Sequence, residues 1–324
     1  METVFICIRL WAVKGEIVRT SAVRALLGAA ATVVLAASLS GCSGGQGGGG
    51  GGNGTPTVVA STDVWGSVAQ AVAGDHVKVT SIINSAAADP HSYEASPSDA
   101  AAITDASLVV YNGGGYDKWV DDVLSTHPKV ASVDAYSLLN ATALGEPQSA
   151  NEHVFYDLDT AKAVATKVAD RLAEVDPGHA ADFHANAADF GRRADVVEQT
   201  ERAIRSTHPG AAVVATEPVA HYLLLAAGLT DKTPKGFANA VEQDTDPAPV
   251  DIAAMLDLIN GRKIAAVVFN DQTVTEVTKQ VQSAAESAGV PIVKVTETLP
   301  AGADYLTWQR DAADRLAAAL QQNR

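Results

Sequence analysis

Residues 97–113, PSDAAAITDASLVVYNG, decide the fold class because they join a capped helix directly to a buried strand. Ser96-Pro97-Ser98-Asp99 is typical of a helix N-terminus, with a capping serine, a proline in the first turn and an acid at the third position. The run that follows, 107–111, is almost continuously apolar, as in strands that helices cover on both faces. A helix that leads into such a strand indicates an α/β protein.

The same alternation of short apolar runs and amphipathic helices continues along the chain from Thr57. Helix ends are also recognisable, since Gly289 follows the periodic stretch 275–288 as a C-terminal stop. The pattern predicts parallel sheets. The strand candidates are 57–61, 77–83, 107–111 and 130–133 in the first half, and 212–216, 264–270 and 291–296 in the second half.

The middle of the chain has no strand pattern. Between Pro177 and Ser206, apolar residues recur at helical spacing, which predicts one helix of about seven to eight turns. We therefore expect two α/β lobes with parallel sheets, at 57–176 and 208–324, joined by one long rigid helix at 177–207. The apolar residues of this stretch are Phe183, Ala187, Phe190, Ala194, Val197 and Ile204.

The N-terminus reads as an export signal. An apolar run of fifteen residues, 25–39, follows two arginines and ends at Leu39-Ser40-Gly41-Cys42, which is similar to the bacterial lipobox. This predicts a signal peptide at 1–41, lipidation of Cys42 and a flexible glycine-rich tether at 42–56. The mature protein is then extracytoplasmic and lipid-anchored to the bacterial cell membrane. A plain secretory signal with an incidental cysteine is the alternative.

Composition excludes several classes of protein. The chain has 324 residues, 47% of them hydrophobic, so it is neither disordered nor collagen-like. Its two cysteines cannot form a disulfide scaffold. A net charge of −15 makes nucleic acid an unsuitable partner.

Four potential metal ligands follow predicted strands or lie in the loops beyond them. They are His91, His153, Glu217 and Glu297. In open α/β sheets this edge is where ligands bind. Two of the four belong to the first lobe and two to the second, so a site that uses all of them must lie in the cleft between the lobes. Each residue alone is weak evidence, but the set is stronger than its members.

The chain resembles the metal-binding solute-binding lipoproteins of bacterial ABC importers for zinc and manganese. The motifs are DPHSYE at 89–94, PSDA at 97–100, VVYNG at 109–113 and NEHVFYDL at 151–158, and the similarity runs from about Thr57 to Leu320. The resemblance implies two α/β lobes joined by a long helix, with the metal between them. It also implies a permease of an ABC importer as partner.

Carried over residue by residue, the resemblance implies His91, His153, Glu217 and Glu297 as ligands of Zn²⁺ or Mn²⁺, bound as cargo. Two neutral imidazoles and two carboxylates balance a divalent cation, and a closed coordination sphere favours holding over catalysis. We therefore expect a monomeric binding protein and no enzyme. Without metal, the two carboxylates should repel each other or take up a proton. Asp89 and Glu94 flank His91 and are candidates to orient its ring.

Alternatives remain open both for the identity of the metal and for the function. Many zinc receptors have a histidine where this chain has Glu217, and an added oxygen ligand favours manganese, although two nitrogens and two oxygens also suit zinc. A secreted metal-dependent hydrolase could use Glu94 as its base, but no HExxH motif supports it. A metal-stabilised surface adhesin is the third hypothesis.

Overall fold

The computed structural model describes residues 56–85, 90–145, 151–243 and 245–322. The predicted signal peptide, the lipidation site Cys42, the tether up to residue 55 and Asp89 lie outside the described residues. All described residues belong to one compact unit. Within these ranges, no helix is both long enough and apolar enough to cross a bilayer.

The first lobe is built on a parallel sheet with the strand order β2-β1-β3-β4. Its strands are β1 (Thr57–Thr62), β2 (Lys78–Ile83), β3 (Leu108–Tyr111) and β4 (Ser132–Asp134). Its helices are α1 (Asp63–Ala73), α2 (Pro97–Asp105), α3 (Lys118–Thr126), α4 (Ala141–Leu144) and α5 (Leu158–Val175).

The second lobe repeats this arrangement, with a parallel sheet in the order β6-β5-β7-β8. Its strands are β5 (Ala212–Ala215), β6 (Thr230–Asp231), β7 (Ala266–Asn270) and β8 (Ile292–Val295). Its helices are α7 (His221–Ala226), α8 (Lys235–Glu242), α9 (Pro249–Asn260), α10 (Glu276–Ala288) and α11 (Tyr305–Gln322). The two-lobed parallel α/β architecture predicted from the sequence is therefore confirmed.

The long helix α6 (Ala180–Thr207) connects the lobes. Its 28 residues span roughly 42 Å at 1.5 Å per residue. All six apolar residues from which the helix was predicted are buried. The helix begins three residues later than predicted because Pro177–His179 form a 3-10 turn before it.

The helix ends and strands predicted from the sequence agree closely with the observed secondary structure. Ser96 and Asp99 form a capping box, in which Ser96 N donates to Asp99 Oδ2 (2.8 Å) and Asp99 N donates to Ser96 Oγ (3.3 Å). Gly289 ends α10 in the left-handed region at φ 64°. All seven predicted strands are present, but β6 is not predicted. It has only two residues at the edge of its sheet, without an apolar pattern.

The C-terminal helix α11 ties the second lobe back to the first. Tyr305 N donates a hydrogen bond to Ser67 Oγ of α1 (2.9 Å). Tyr305 OH and Gln309 Nε2 both donate to the carbonyl of Phe155, at 2.7 Å and 2.9 Å. Buried side chains of both sheets also belong to one continuous hydrophobic core. The lobes are thus joined by more than α6, and the boundaries predicted for them stay a prediction.

A buried acid on α6 gives the fold an unusual dependence on pH. Glu201 is 4% exposed, and its Oε1 makes no hydrogen bond. Burial, followed by the negative charges of Glu198 and Asp157, raises the pKa of Glu201 to about 8. The unfolded chain releases this proton near the ordinary value of 4.5, so the folded state binds more protons between these values. The contribution of Glu201 to the free energy of unfolding therefore falls as the pH rises from about 5 to 8.

We predict that Glu201→Gln stabilises the protein and that the gain is larger at pH 8 than at pH 5. The amide keeps the shape of the side chain and removes the charge that must be buried at high pH. Thermal or urea unfolding at the two pH values measures the effect, which we expect to exceed about 1 kcal/mol at pH 8. Asp189→Asn, at an exposed position of α6, is the control. An equal effect of Glu201→Gln at both pH values would contradict the assignment.

Candidate metal site

The four predicted ligands come from the edges at which the parallel strands end. Glu217 lies two residues after β5, and Glu297 lies two residues after β8. His91 lies in the turn between β2 and α2, and His153 immediately precedes a 3-10 turn that leads into α5. Because the carboxyl ends of parallel strands share one edge of a sheet, this topology directs all four segments toward the same cleft.

Three of the four predicted ligands converge. Glu297 Oε2 lies 3.3 Å from His91 Nε2 and 3.6 Å from His153 Nε2. The two imidazole rings are edge to face, with centroids 5.4 Å apart. Each of the three residues offers one ligand atom, and these atoms all lie within 4.8 Å of one another. One lobe thus supplies the nitrogens, and the other supplies the carboxylate.

Glu217 is connected to this group by hydrogen bonds from the side-chain amide of Asn270. Asn270, the last residue of β7, donates from Nδ2 to Glu217 Oε2 and to Glu297 Oε1, the latter at 2.9 Å. Glu217 is not among the described residues whose ligand atoms all lie within 4.8 Å of one another. The shared amide nevertheless holds both carboxylates side by side, each with its other oxygen left for a further partner.

Several buried polar atoms in this region make no hydrogen bond to any residue that the structure describes. They are His153 Nε2, Glu217 Oε1, Glu242 Oε1 and Glu297 Oε2. A buried polar group without a partner costs about 1–3 kcal/mol, and more when it is charged. One nitrogen and three carboxylate oxygens are ligand types that a divalent transition metal accepts. A cation held between them would satisfy this part of the site at once.

The side chain of Asn151 holds both the backbone and the ring of His153. Asn151 Oδ1 accepts from His153 N (2.8 Å) and lies 3.0 Å from His153 Nδ1. With Nδ1 bound to this oxygen as the donor, the lone pair on Nε2 is free for a metal. Asn151 is itself held by the second lobe, since Tyr222 OH donates to its carbonyl (2.6 Å).

The segment that bears Glu297 is fixed from both lobes. Gln272 Oε1 accepts from Glu297 N at 2.5 Å and from Thr298 N at 3.0 Å. Tyr156 OH, in the first lobe, donates to the carbonyl of Thr296 (2.9 Å). The position of the Glu297 backbone therefore does not depend on a bound ion.

The ionisable side chains of the site shift one another's pKa values. Burial alone would raise the pKa of Glu297, but the imidazoles of His153 and His91 outweigh it and hold that pKa well below its usual range. Burial raises the pKa of Glu217 to about 7, and the negative charges of Glu297 and Glu242 add to the rise. Burial lowers the pKa of His153, but its contact with Glu297 reverses this and leaves the pKa raised. Without a metal, Glu217 and His153 thus hold protons more readily than free side chains do, chiefly through burial for Glu217 and through contact with Glu297 for His153.

Glu94 makes no hydrogen bond to His91 among the described residues, so its role in orienting that ring stays a prediction. It is exposed, and among the described residues its carboxylate makes no hydrogen bond or ion pair. A flanking position in the sequence does not bring two side chains together in an irregular turn. Asn151 and Asn270 contact the predicted ligands directly, Asn151 at His153 and Asn270 at Glu297.

Sequence reasoning missed Asn270 and Glu242. Asn270 ends a predicted strand at the same edge as the ligands, so the rule that selected Glu217 and Glu297 could also have selected it. Glu242 is the last residue of α8, and its Oε1 lies 3.7 Å from His153 Nε2. No strand precedes it, so nothing in its local pattern indicates the site.

Two parallel-sheet lobes, a long connecting helix and a buried histidine–glutamate cluster define the class of two-lobed metal-binding solute receptors. The family described as "Zinc-uptake complex component A periplasmic" matches residues 58–319, and this chain belongs to that family. It is a family of transporter components and not an enzyme family.

Individual relatives agree with this membership. The manganese-binding lipoprotein MntA of Halalkalibacterium halodurans is 28% identical over 155 residues, which cover 48% of this chain and only about half, 51%, of that relative. The metal ABC transporter substrate-binding lipoprotein FimA of Streptococcus parasanguinis is 22% identical over 83% of this chain and 91% of the relative. The structure of the periplasmic zinc-binding protein TroA from Treponema pallidum shares the fold, with a TM-score of 0.68 and 19% identity over 82% of this chain and 99% of TroA.

We predict that Asn270→Ala lowers the affinity for Zn²⁺ and Mn²⁺ by about tenfold or more. Removing a group that holds metal ligands in place typically costs 10–100-fold, and here both carboxylates lose their shared donor. Competition titration against a chromophoric chelator measures the affinity. Asn260→Ala, at the exposed end of α9, is the control. Unchanged affinity in a folded Asn270→Ala protein would remove Asn270 from the site.

Proposed function

We propose that this protein is the extracytoplasmic solute-binding component of an ABC importer. It captures Zn²⁺ or Mn²⁺ with His91, His153, Glu217 and Glu297 and delivers the ion to the membrane permease. The observation that best supports these ligands is the set of buried nitrogen and carboxylate oxygen atoms that make no hydrogen bond around one cleft. Family membership supports the transport role.

The donor set suits the capture of an ion. Two neutral imidazoles and two carboxylates neutralise a divalent cation, so no net charge remains in a site where three of the four side chains are almost fully buried. Four protein ligands leave little room for a reactive water, whereas a catalytic zinc site keeps a position open. The site therefore favours holding and release over hydrolysis.

The location follows from the N-terminal sequence. Relatives are described as lipoproteins, and this chain has Cys42 directly after an apolar run with small residues before it. We propose that Cys42 carries the lipid and that the glycine-rich segment after it tethers a monomeric receptor near its permease. Capture and delivery then take place at the outer surface of the membrane.

The alternatives have less support. A hydrolase needs a general base directed at a metal-bound water, and the exposed Glu94 makes no described contact with the site. An adhesin with a structural metal would unfold when the metal is removed, whereas a receptor has to keep its fold when it is empty. A thermal melt with and without chelator separates these two functions.

We predict that His91→Ala reduces the affinity for both metals at least tenfold, because it removes a nitrogen ligand that faces Glu297. Isothermal titration or chelator competition on purified protein measures the change. His184→Ala, which alters an exposed histidine of α6, is the matched control. Normal binding by the His91→Ala protein would exclude His91 from the ligand set.

We also predict that metal affinity falls steeply below about pH 6. Imidazoles ligate only when neutral, and their ordinary pKa is about 6.5, so protons compete with the ion as the pH decreases. Because the pKa of His153 and that of Glu217 are raised in the empty site, binding near neutral pH should also release protons. Calorimetry in two buffers with different ionisation enthalpies counts those protons. Constant affinity between about pH 7.5 and about pH 5 would contradict the proposed ligands.

A further inference from the structure

A second set of possible metal ligands lies beside the first. One ligand atom each from His91, Glu152 and Glu242 lie within 4.8 Å of one another. This outer set shares His91 with the inner set of His91, His153 and Glu297. It also draws on both lobes, since Glu152 precedes α5 and Glu242 ends α8.

The outer set lies closer to solvent than the inner one. Glu152 and Glu242 are half-buried, whereas His153 and Glu297 are buried. The backbone of Glu152 is held in place, because Asn112 Nδ2 donates to its carbonyl (2.8 Å). Glu152 and His153 are neighbours in the chain, but Glu152 belongs to the outer set and His153 to the inner set.

A second observation connects the two sets. Glu242 Oε1 is buried, makes no hydrogen bond and lies 3.7 Å from His153 Nε2. His153 Nε2 belongs to a fully buried ring and makes no hydrogen bond either. A carboxylate of the outer set therefore faces a nitrogen of the inner set, and neither atom makes a hydrogen bond to a described residue.

We propose that His91, Glu152 and Glu242 form an entry position that receives the divalent ion before it reaches the inner site. The ion keeps His91 and exchanges Glu152 and Glu242 for His153 and Glu297 as it moves inward. A neutral imidazole has one lone pair, so His91 holds one ion at a time and the stoichiometry remains one. Two carboxylates and an imidazole neutralise the ion during this step. The inference rests on the proposed metal-binding function.

The direction of the change in release rate distinguishes this role from two others. An entry position lowers the barrier for the ion in both directions, so its loss slows both binding and release. Loss of a permanent ligand, or of a nearby negative charge, weakens the bound state and speeds release. Loss of a residue that does not contact the ion changes neither rate beyond the general effect of charge.

The test measures release of Zn²⁺ from the loaded protein into an excess of chelator by stopped flow, and association in a second experiment. For Glu242→Gln and Glu152→Gln we expect both rates to fall at least fivefold. Asp246→Asn, an exposed acid in the same connection between α8 and α9, is the control for charge and should leave release unchanged. Faster or unchanged release in both glutamine variants would overturn the entry position.

A second measurement isolates the outer set. In a His153→Ala protein the inner set lacks a ligand, so the remaining Zn²⁺ binding should depend on the outer carboxylates. Adding Glu242→Gln should weaken this binding at least fivefold further, whereas adding Asp246→Asn should not. No further loss would overturn the proposal. If the unsubstituted protein binds neither Zn²⁺ nor Mn²⁺, the proposed function fails, and that result is distinct from a failure of the entry position alone.

Discussion

The contact between Glu297 and two imidazoles is the constraint on which the rest of the site depends. Glu297 comes from the second lobe, His91 and His153 come from the first, and their contacts of 3.3 Å and 3.6 Å cross the cleft. A buried carboxylate must be compensated, and in the metal-free protein these rings are its nearest positive partners. A divalent cation bound as proposed would replace this compensation with direct bonds and so would also hold the two lobes together.

The scaffold fixes some ligands more firmly than others. Thr296, next to Glu297, accepts a hydrogen bond from Tyr156 OH (2.9 Å) and, through Oγ1, another from Trp308 Nε1 of α11 (3.0 Å). These bonds and the continuous core around α6 and α11 hold the Glu297 side of the cleft in place without an ion. His91 lies in a turn instead. Rearrangement on binding or release is therefore expected at the His91 turn and at the end of α8 before it is expected at Glu297.

The sequence predicts the fold and the convergence of three of the proposed ligands because both depend on local patterns. Buried strands have continuous apolar runs, and side chains that follow parallel strands meet at one edge, which is why His91, His153 and Glu297 were expected to lie together. Asn270 and Glu242 depend on tertiary packing, because an amide between two carboxylates and a carboxylate at a helix end have no local pattern. The packing of α11 against the first lobe likewise depends on hydrogen bonds to residues far away in the sequence, such as Ser67 and Phe155.

Asn270 also bears on which metal the site accepts. Its amide takes one oxygen of Glu217 and one of Glu297, so each carboxylate has a single oxygen left for an ion. With two imidazoles this gives two nitrogens and two oxygens, and four-coordinate sites of this kind suit zinc. Manganese prefers more oxygen ligands and a larger coordination number. To provide that coordination number, one carboxylate would have to give up its hydrogen bond with Asn270. Alternatively, the ion would have to bind water or Glu242, whose Oε1 makes no hydrogen bond to a described residue and lies 3.7 Å from His153 Nε2. The choice between the metals would therefore depend on residues outside the four proposed ligands as well as on those ligands themselves.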